Sequence, residues 1–226
     1  MNSTENILYI GSGKSATLFN QLDLSKYMVC CVNNAWKLFK NKPFDCWIHS
    51  GDFPFENRPK IRTFKREISH TQYKISSEEI VKKLGAKCRS PQHYLGYTIF
   101  FLGLYWVLND LNPKKISLLG FDHDYNSAKV AKWNNHNRPN PQNNFNKDRG
   151  TTIEDWSESF FKGFETDSFY GHGTPDPIRL GEQTLKQKFE LAIKNTEAIG
   201  VKMVNLSPVV SRINTIQKED VRKEKQ

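Results

Sequence analysis

Short apolar runs alternate along this chain with longer segments in which apolar residues recur at helical spacing. The apolar runs predict five strands, near residues 7–10, 28–32, 45–49, 116–119 and 201–206. The segments between them predict helices near residues 15–22, 33–40, 76–84, 94–110 and 178–199. This alternation predicts an α/β fold that is Rossmann-like, with a mostly parallel sheet and helices on both of its faces.

Two of the predicted helices differ in their apolar surface. Residues 94–110 are apolar nearly all round, which predicts a helix buried against the sheet. Residues 178–199 are amphipathic, with Leu180, Leu185 and Phe189 near one face. Gly200 follows at the position where helices often end on a glycine.

The interval from about 126 to 168 differs from the rest in composition. It is rich in asparagine and aromatic residues and shows little periodicity. A loop of this length in a compact domain is either a functional lid or disordered, and the aromatic residues favour a lid. We therefore expect one domain over residues 1–212, including this lid, and a charged tail over 213–226 whose last nine residues are frayed.

Composition and cysteine usage narrow the class of protein. The 226 residues are 37% apolar, which is enough for a single sizeable core. Cys30 and Cys31 are adjacent in a predicted buried strand, which favours reduced core thiols over a disulfide framework. The polar start of the chain predicts no signal peptide. The longest apolar run, Thr98–Leu108, is far shorter than the roughly 20 residues that span a bilayer. These features predict a soluble, cytoplasmic protein.

The net charge of +9 is concentrated in a few places, among them Lys60–Arg66, Lys82–Lys83 and the C-terminal tail. Such a field attracts nucleic acid, anionic lipid surfaces or acidic small substrates, and scattered lysines are also typical of solvated faces. No nucleic-acid reader motif accompanies the charge, so we expect no nucleic-acid partner.

A glycine-rich turn follows the first predicted strand, as Gly11-Ser12-Gly13-Lys14-Ser15. Strand, tight loop and helix in this order place backbone amides where a phosphate can bind. A P-loop is excluded, because its first glycine would fall on Leu8, inside the strand. The spacing fits Gly-x-Gly-x-x-Ala, but the acidic ribose ligand of dinucleotide sites is missing about 20 residues later. We predict a nucleotide site; the alternative is a glycine turn that only tightens the strand–helix joint.

Polar and small residues follow the other predicted strands as well. They are Asn33-Asn34, His49-Ser50-Gly51-Asp52, Gly120-Phe121-Asp122-His123-Asp124-Tyr125 and Ser207-Pro208. The carboxyl ends of parallel strands share one edge of a sheet, so these residues are expected to meet at a single ligand site.

The order of these motifs resembles that of the bacterial sialyltransferases of glycosyltransferase family 42. The resemblance spans about residues 7–212 and rests on short motifs taken together. They are Gly11-Ser12-Gly13-Lys14-Ser15, Val32-Asn33, Gly120-Phe121-Asp122-His123-Asp124, Phe169-Tyr170-Gly171-His172 with Asp176, and a final helix and strand that end at Pro208.

The resemblance implies an inverting, metal-independent transfer of a sialic acid or related sugar acid from a CMP-activated donor to a glycan or glycolipid hydroxyl. It implies no metal and no cofactor other than the CMP-sugar co-substrate. It also implies that the protein forms a homo-oligomer and makes at most peripheral contact with the inner membrane face. His172 is the implied general base, since a neutral imidazole can accept the proton of the attacking hydroxyl. Tyr125, with Lys14, is implied to stabilise the leaving phosphate. The implied nucleotide-binding residues are Gly11, Ser12, Gly13, Lys14, Ser15, Asn33, Asn34, Gly96, Tyr97, Thr98, Gly120 and Asp122.

The chain departs from the family pattern at several positions, and other functions stay open. The family's loop asparagine is Ser12 here, and Asp124 stands where the family has a phosphate-binding tyrosine. Asp122 and Asp124 form an Asp-x-Asp pair of the kind that holds Mg²⁺ or Mn²⁺ on a nucleotide diphosphate sugar. The alternatives are therefore a metal-dependent sugar transferase, a Rossmann-like phosphotransferase, or a non-catalytic nucleotide-binding protein.

Overall fold

The computed structural model describes residues 5–39, 41–51, 53, 55, 58–84, 99–122, 182–208 and 216–221. Within these residues, six parallel strands form one sheet in the order β4-β3-β2-β1-β5-β6. The strands are β1 (Asn6–Ile10), β2 (Met28–Val32), β3 (Phe44–Ile48), β4 (Phe64–Ile68), β5 (Lys115–Leu119) and β6 (Lys202–Asn205). The chain therefore has the expected α/β, Rossmann-like fold.

Helical segments lie on both faces of the sheet, as predicted, but the three α-helices share one face and the 3₁₀ segments cover the other. The α-helices are α1 (His70–Lys83), α2 (Ile99–Trp106) and α3 (Glu182–Ala198), and a π-helical turn, Val107–Leu111, continues α2. The shorter 3₁₀ segments are Lys14–Gln21, Leu24–Lys26 and Asn33–Phe39.

Alternate residues of each central strand face the two layers. Tyr9 lies in a core with residues of all three α-helices, among them Tyr73, Phe100 and Phe189. On the other face, Leu8 and Ile10 lie in a core with residues of the two longer 3₁₀ segments. Both faces of the central strands are thus buried, which explains why these strands are apolar without alternation.

The predicted helix boundaries shift in the structure for local reasons. The helix expected at 76–84 begins at His70, where the Gln72 side chain accepts a hydrogen bond of 2.8 Å from the Ser69 amide. This is half of a capping box, and its Ser-x-x-Gln spacing is visible in the sequence. Gly200 adopts a left-handed backbone after α3 and donates to the Glu197 carbonyl, as expected for a C-terminal glycine.

Three of the cysteines are free thiols in the sheet, as expected from the sequence. Cys30 and Cys46 are register partners on neighbouring strands, and both are buried. Hydrogen bonding with Cys46, together with burial, holds the pKa of Cys30 well above its usual range. Thiols in this state are protonated and unreactive.

The C-terminal segment 216–221 packs against β6, so the expectation that residues 218–226 are frayed is wrong for 218–221. The Asn205 amide donates to the Gln217 carbonyl, and the Glu219 amide donates to the Asn205 carbonyl. The Ile216 and Val221 side chains are buried. Among the described residues, none of the helices has the length and apolar character needed to cross a membrane.

Glu219 fixes this segment through two cations of the sheet. Its carboxylate lies 3.0 Å from Lys115 Nζ and 2.6 Å from Lys202 Nζ. Hydrogen bonding to Lys202 is the main cause that lowers the pKa of Glu219 from 4.5 to about 2. A shift of this size corresponds to about 3 kcal/mol at most. Solvent around the partly exposed group reduces this to about 1–2 kcal/mol.

We expect Glu219→Gln to destabilise the protein by about 1–2 kcal/mol at neutral pH. A lowered folded-state pKa contributes stability that is complete above the unfolded value of 4.5 and is lost as pH falls through about 2. The difference between wild type and variant should therefore shrink over that acidic interval, as measured by thermal or urea unfolding. Glu5→Gln is the control, since Glu5 pairs with Lys114 at the surface. An equal effect of both variants would contradict this account.

Candidate functional site

The predicted nucleotide loop lies at the point where the strand order of the sheet reverses. From β1 the chain continues outward through β2, β3 and β4, whereas β5 and β6 lie on the other side of β1. The loops after β1 and β5 therefore leave the same edge side by side, and ligands of open α/β sheets bind in this crevice. Residues 11–15 and 120–122 line it.

These two loops are joined through their backbones. The Gly11 amide donates to the Leu119 carbonyl at 2.8 Å, and the Gly13 amide donates to the Gly120 carbonyl at 2.7 Å. A Cβ atom on Gly13 would lie 2.6 Å from Asp122 Oδ2 and 2.7 Å from the Gly120 oxygen. Gly120 itself has a φ of +74°, which favours glycine. The glycines thus permit a loop-to-loop contact that side chains would prevent.

The Asp122 carboxylate is buried between the loops and accepts hydrogen bonds from two of them. Its Oδ2 accepts from the Ser15 amide at 2.8 Å, and its Oδ1 accepts from the Ser15 hydroxyl. Oδ1 also accepts from the Ser207 hydroxyl at 2.6 Å. The Ser15 hydroxyl in turn accepts from the Gly120 amide at 2.9 Å. Asp122 therefore joins the loops that follow β1, β5 and β6.

These hydrogen bonds reduce the number of backbone amides with which the glycine loop can bind a phosphate. The Ser15 amide lies in the first turn of the 3₁₀ segment Lys14–Gln21, and the anion that it binds is the protein's own carboxylate. The amides of Gly11, Gly13 and Ala16 donate to backbone carbonyls. Of the loop amides, those of Ser12 and Lys14 are not used in these contacts.

Aromatic packing anchors the β5 loop from the other side. The Phe121 ring stacks on Tyr9 with ring centroids 5.0 Å apart and meets Phe100 edge-on at 4.8 Å. The Tyr9 hydroxyl donates to the Phe100 carbonyl at 3.0 Å. Burial raises the pKa of Tyr9 well above its usual value, so the phenol remains a donor.

Asn33 connects the end of β2 to the loop after β3. It has a left-handed backbone with a φ of 46°, and its side-chain oxygen accepts from the Ser50 amide at 3.1 Å. The Trp47 indole donates to the Asn33 carbonyl at 2.9 Å. Asn33 and Asn34 are both buried. Asn33 therefore shapes this edge of the sheet, and its side-chain oxygen is already engaged.

A histidine–carboxylate pair lies at the same edge of the sheet, where it joins the residue after β3 to β4. His49 is buried against the Trp47 ring, and its Nε2 lies 3.0 Å from Glu67 Oε1. Its Nδ1 lies 2.9 Å from the Ser50 carbonyl oxygen. Both ring nitrogens of His49 therefore face oxygen atoms of the loop after β3 and of β4.

The predicted nucleotide-binding residues that the structure describes all lie at one edge of the sheet. Those at the β1–β5 crevice are Gly11, Ser12, Gly13, Ser15, Gly120 and Asp122, with Asn33 and Asn34 one strand away. Of Lys14, the backbone alone is described. The remaining predicted site residues lie outside the described residues, and they are Gly96, Tyr97, Thr98, Asp124, Tyr125 and His172. The predicted lid at 126–168 also lies outside them.

Ser207 lies at the site, as expected from its place after the last strand, and Asn205, which the sequence analysis did not single out, belongs to the site as well. The Asn205 side chain accepts from the Ser207 amide at 2.9 Å, which places the Ser207 hydroxyl on Asp122. Asn205 is the last residue of β6, and no sequence pattern marks its side chain as part of the site.

The described residues contain no group of three histidine, cysteine or carboxylate side chains arranged to hold a metal ion. Both oxygens of Asp122 already accept hydrogen bonds from serines. Oδ1 accepts from two serine hydroxyls, and Oδ2 accepts from the Ser15 amide.

Comparison with protein-family profiles, with curated proteins and with solved structures yields no match to this chain.

We expect Asp122→Asn to destabilise the protein by about 1–3 kcal/mol, because an amide cannot accept at both oxygen positions. Ser207→Ala should cost about 1 kcal/mol, and the double variant should cost less than the sum. Asp23→Asn is a matched control, since Asp23 accepts from the amide and hydroxyl of Ser25 at the surface. Urea unfolding measures all four variants. Additive effects of the Asp122 and Ser207 changes would contradict a shared network.

We expect Gly13→Ala to destabilise the protein by about 1–3 kcal/mol, because the new methyl would overlap the Gly120 carbonyl and the Asp122 carboxylate. Ser12→Ala, in the same loop, adds no such overlap and serves as the control. Thermal unfolding compares the two variants. Equal midpoints would show that the β1 and β5 loops separate at little cost.

Proposed function

We propose that this protein is a glycosyltransferase that transfers a sialic acid or related sugar acid from a CMP-activated donor to a hydroxyl of a glycan or glycolipid. One observation carries the proposal. The residues that resemble the family 42 nucleotide motifs, Gly11–Ser15 and Gly120–Asp122, lie side by side at the strand-order reversal of a parallel sheet. This is the position at which open α/β sheets bind nucleotides.

In this proposal the described residues shape the donor site. Asp122 is a positioning residue, because it fixes the β1 loop through Ser15 and the loop after β6 through Ser207. Asn33 positions the neighbouring edge through the Ser50 amide. The donor phosphate then meets a loop whose shape is set before the ligand arrives, which lowers the ordering cost of binding.

The chemical step in this proposal is assigned to His172 and Tyr125 by resemblance alone. A neutral His172 imidazole accepts the proton of the acceptor hydroxyl as that oxygen attacks the anomeric carbon. The bond to CMP breaks, and Tyr125, with Lys14, stabilises the departing phosphate. In this proposal the reaction occurs without a metal ion, as the resemblance to family 42 implies. The acceptor is a glycan or glycolipid at the inner membrane face, and the protein is cytoplasmic.

We expect CMP to raise the thermal unfolding midpoint in the presence of EDTA, because a ligand that binds only the folded state stabilises it by mass action. CDP, UDP, GDP, ATP and NAD, each with and without Mg²⁺ or Mn²⁺, form the comparison set in the same assay. Stabilisation only by a diphosphate with metal would favour the Asp122/Asp124 alternative. No shift with any nucleotide would overturn the nucleotide site.

We expect His172→Ala to lower turnover of a CMP-sialic acid donor by about 10²–10⁴-fold while leaving the CMP-induced thermal shift unchanged. Asp124→Asn serves as the contrast, since it removes a metal ligand of the alternative enzyme but not the general base. Donor consumption is measured with a sialyl-acceptor glycan. Full activity of His172→Ala, or dependence on Asp124 and added metal, would contradict the assignment.

A further inference from the structure

The connection between β3 and β4 exposes apolar side chains. Among the described residues, the large hydrophobic side chains that are exposed are Phe55 at 82%, Ile61 at 75% and Ile75 at 54%. Phe55 and Ile61 lie in this connection, and Ile75 lies on α1. Single exposed hydrophobic residues are normal, so the surroundings of Phe55 and Ile61 decide whether they have a role.

Those surroundings are strongly basic. Residues 55–66 contain five basic side chains and one acidic side chain. Lys60 and Arg62 flank Ile61 directly, and the Arg58 guanidinium lies 5.8 Å from the centre of the Phe55 ring. Apolar and cationic groups are therefore mixed within one short segment.

Two of the five cations are neutralised by carboxylates of the sheet. Lys65 Nζ lies 2.6 Å from Asp45, and Arg58 Nη1 lies 3.9 Å from Glu67. Within the part of the chain that is described, Lys60, Arg62 and Arg66 take part in no ion pair, and all three are exposed. The Arg62 guanidinium donates to the carbonyls of Phe64 and Lys65, which leaves its charge unpaired. We call Phe55, Lys60, Ile61, Arg62 and Arg66 the edge surface.

Protection of a sheet edge explains only part of this pattern. β4 is the outermost strand, and charged residues at 65–67 hinder pairing with another chain. Phe55 and Ile61, however, precede the strand and contribute nothing to that protection. Their exposure calls for a partner that accepts apolar side chains and cations together.

We propose that the edge surface binds the surface of an anionic lipid bilayer. Phe55 and Ile61 enter the boundary between head groups and acyl chains, while Lys60, Arg62 and Arg66 bind the anionic head groups. Arg58, in the same segment, lies 3.9 Å from Glu67 Oε1, which also contacts His49 at the carboxyl end of β3. The proposal does not depend on the proposed reaction.

Vesicle co-sedimentation of the full chain tests the proposal without any substrate. The protein should bind mixed vesicles of phosphatidylglycerol and phosphatidylcholine, and binding should weaken as salt is added and with pure phosphatidylcholine. Lys60→Ser/Arg66→Ser should lower the partition coefficient by about fivefold for each cation removed. Phe55→Ser/Ile61→Ser should lower it by at least tenfold, to roughly the level expected from charge alone.

Helix α1 supplies matched controls that carry the same chemical changes elsewhere. Lys74→Ser/Lys82→Ser removes two exposed cations, and Ile75→Ser removes an exposed apolar side chain. Both should retain binding, and all variants should unfold at the wild-type midpoint because the changed residues are exposed. Equal loss in the controls would overturn the assignment of this surface.

Two further outcomes would also overturn the proposal. Absence of binding to anionic vesicles at low salt would exclude a lipid partner. Binding of a single-stranded RNA oligonucleotide that needs Lys60 and Arg66 but not Phe55 and Ile61, with weaker binding to vesicles, would assign the surface to nucleic acid instead.

Discussion

The buried carboxylate of Asp122 holds together the loops that follow β1, β5 and β6. A buried charge is tolerated only where donors surround it, and here the amide and hydroxyl of Ser15 and the hydroxyl of Ser207 supply them. These donors reach the carboxylate because Gly13 and Gly120 let the loops approach within backbone hydrogen-bond distance. The shape of the candidate site therefore depends on one carboxylate and the glycines beside it.

The central strands could be predicted because both of their faces are buried, so that each appears in the sequence as a short apolar run. β4 could not, because its three middle residues, Lys65, Arg66 and Glu67, are charged and exposed at the sheet edge. The beginning of α1 lies six residues before its predicted start, although Ser69 and Gln72 show the spacing of a capping box. Edge position and local capping thus account for these two differences.

The candidate site could be predicted as a set of loops but not as a network. Strand order determines which loops are neighbours; the apolar runs predicted five of the six strands but not their order in the sheet. The hydrogen bond between Ser207 and Asp122 joins positions 85 residues apart in sequence, and no local pattern reports it. The same holds for segment 216–221, whose attachment to Asn205 depends on long-range backbone hydrogen bonds and on the cations around Glu219.

The hydrogen bonds of the β1 loop also limit the kind of nucleotide that suits it. A loop that cradles a triphosphate presents several amides to the ligand, as P-loops do. Here the amides of Gly11, Gly13, Ser15 and Ala16 are bound to carbonyls or to Asp122. A ligand with a single phosphate needs fewer donors than a triphosphate does. The amides of this loop that are bound within the protein are therefore not available to cradle a triphosphate in the way that a P-loop does.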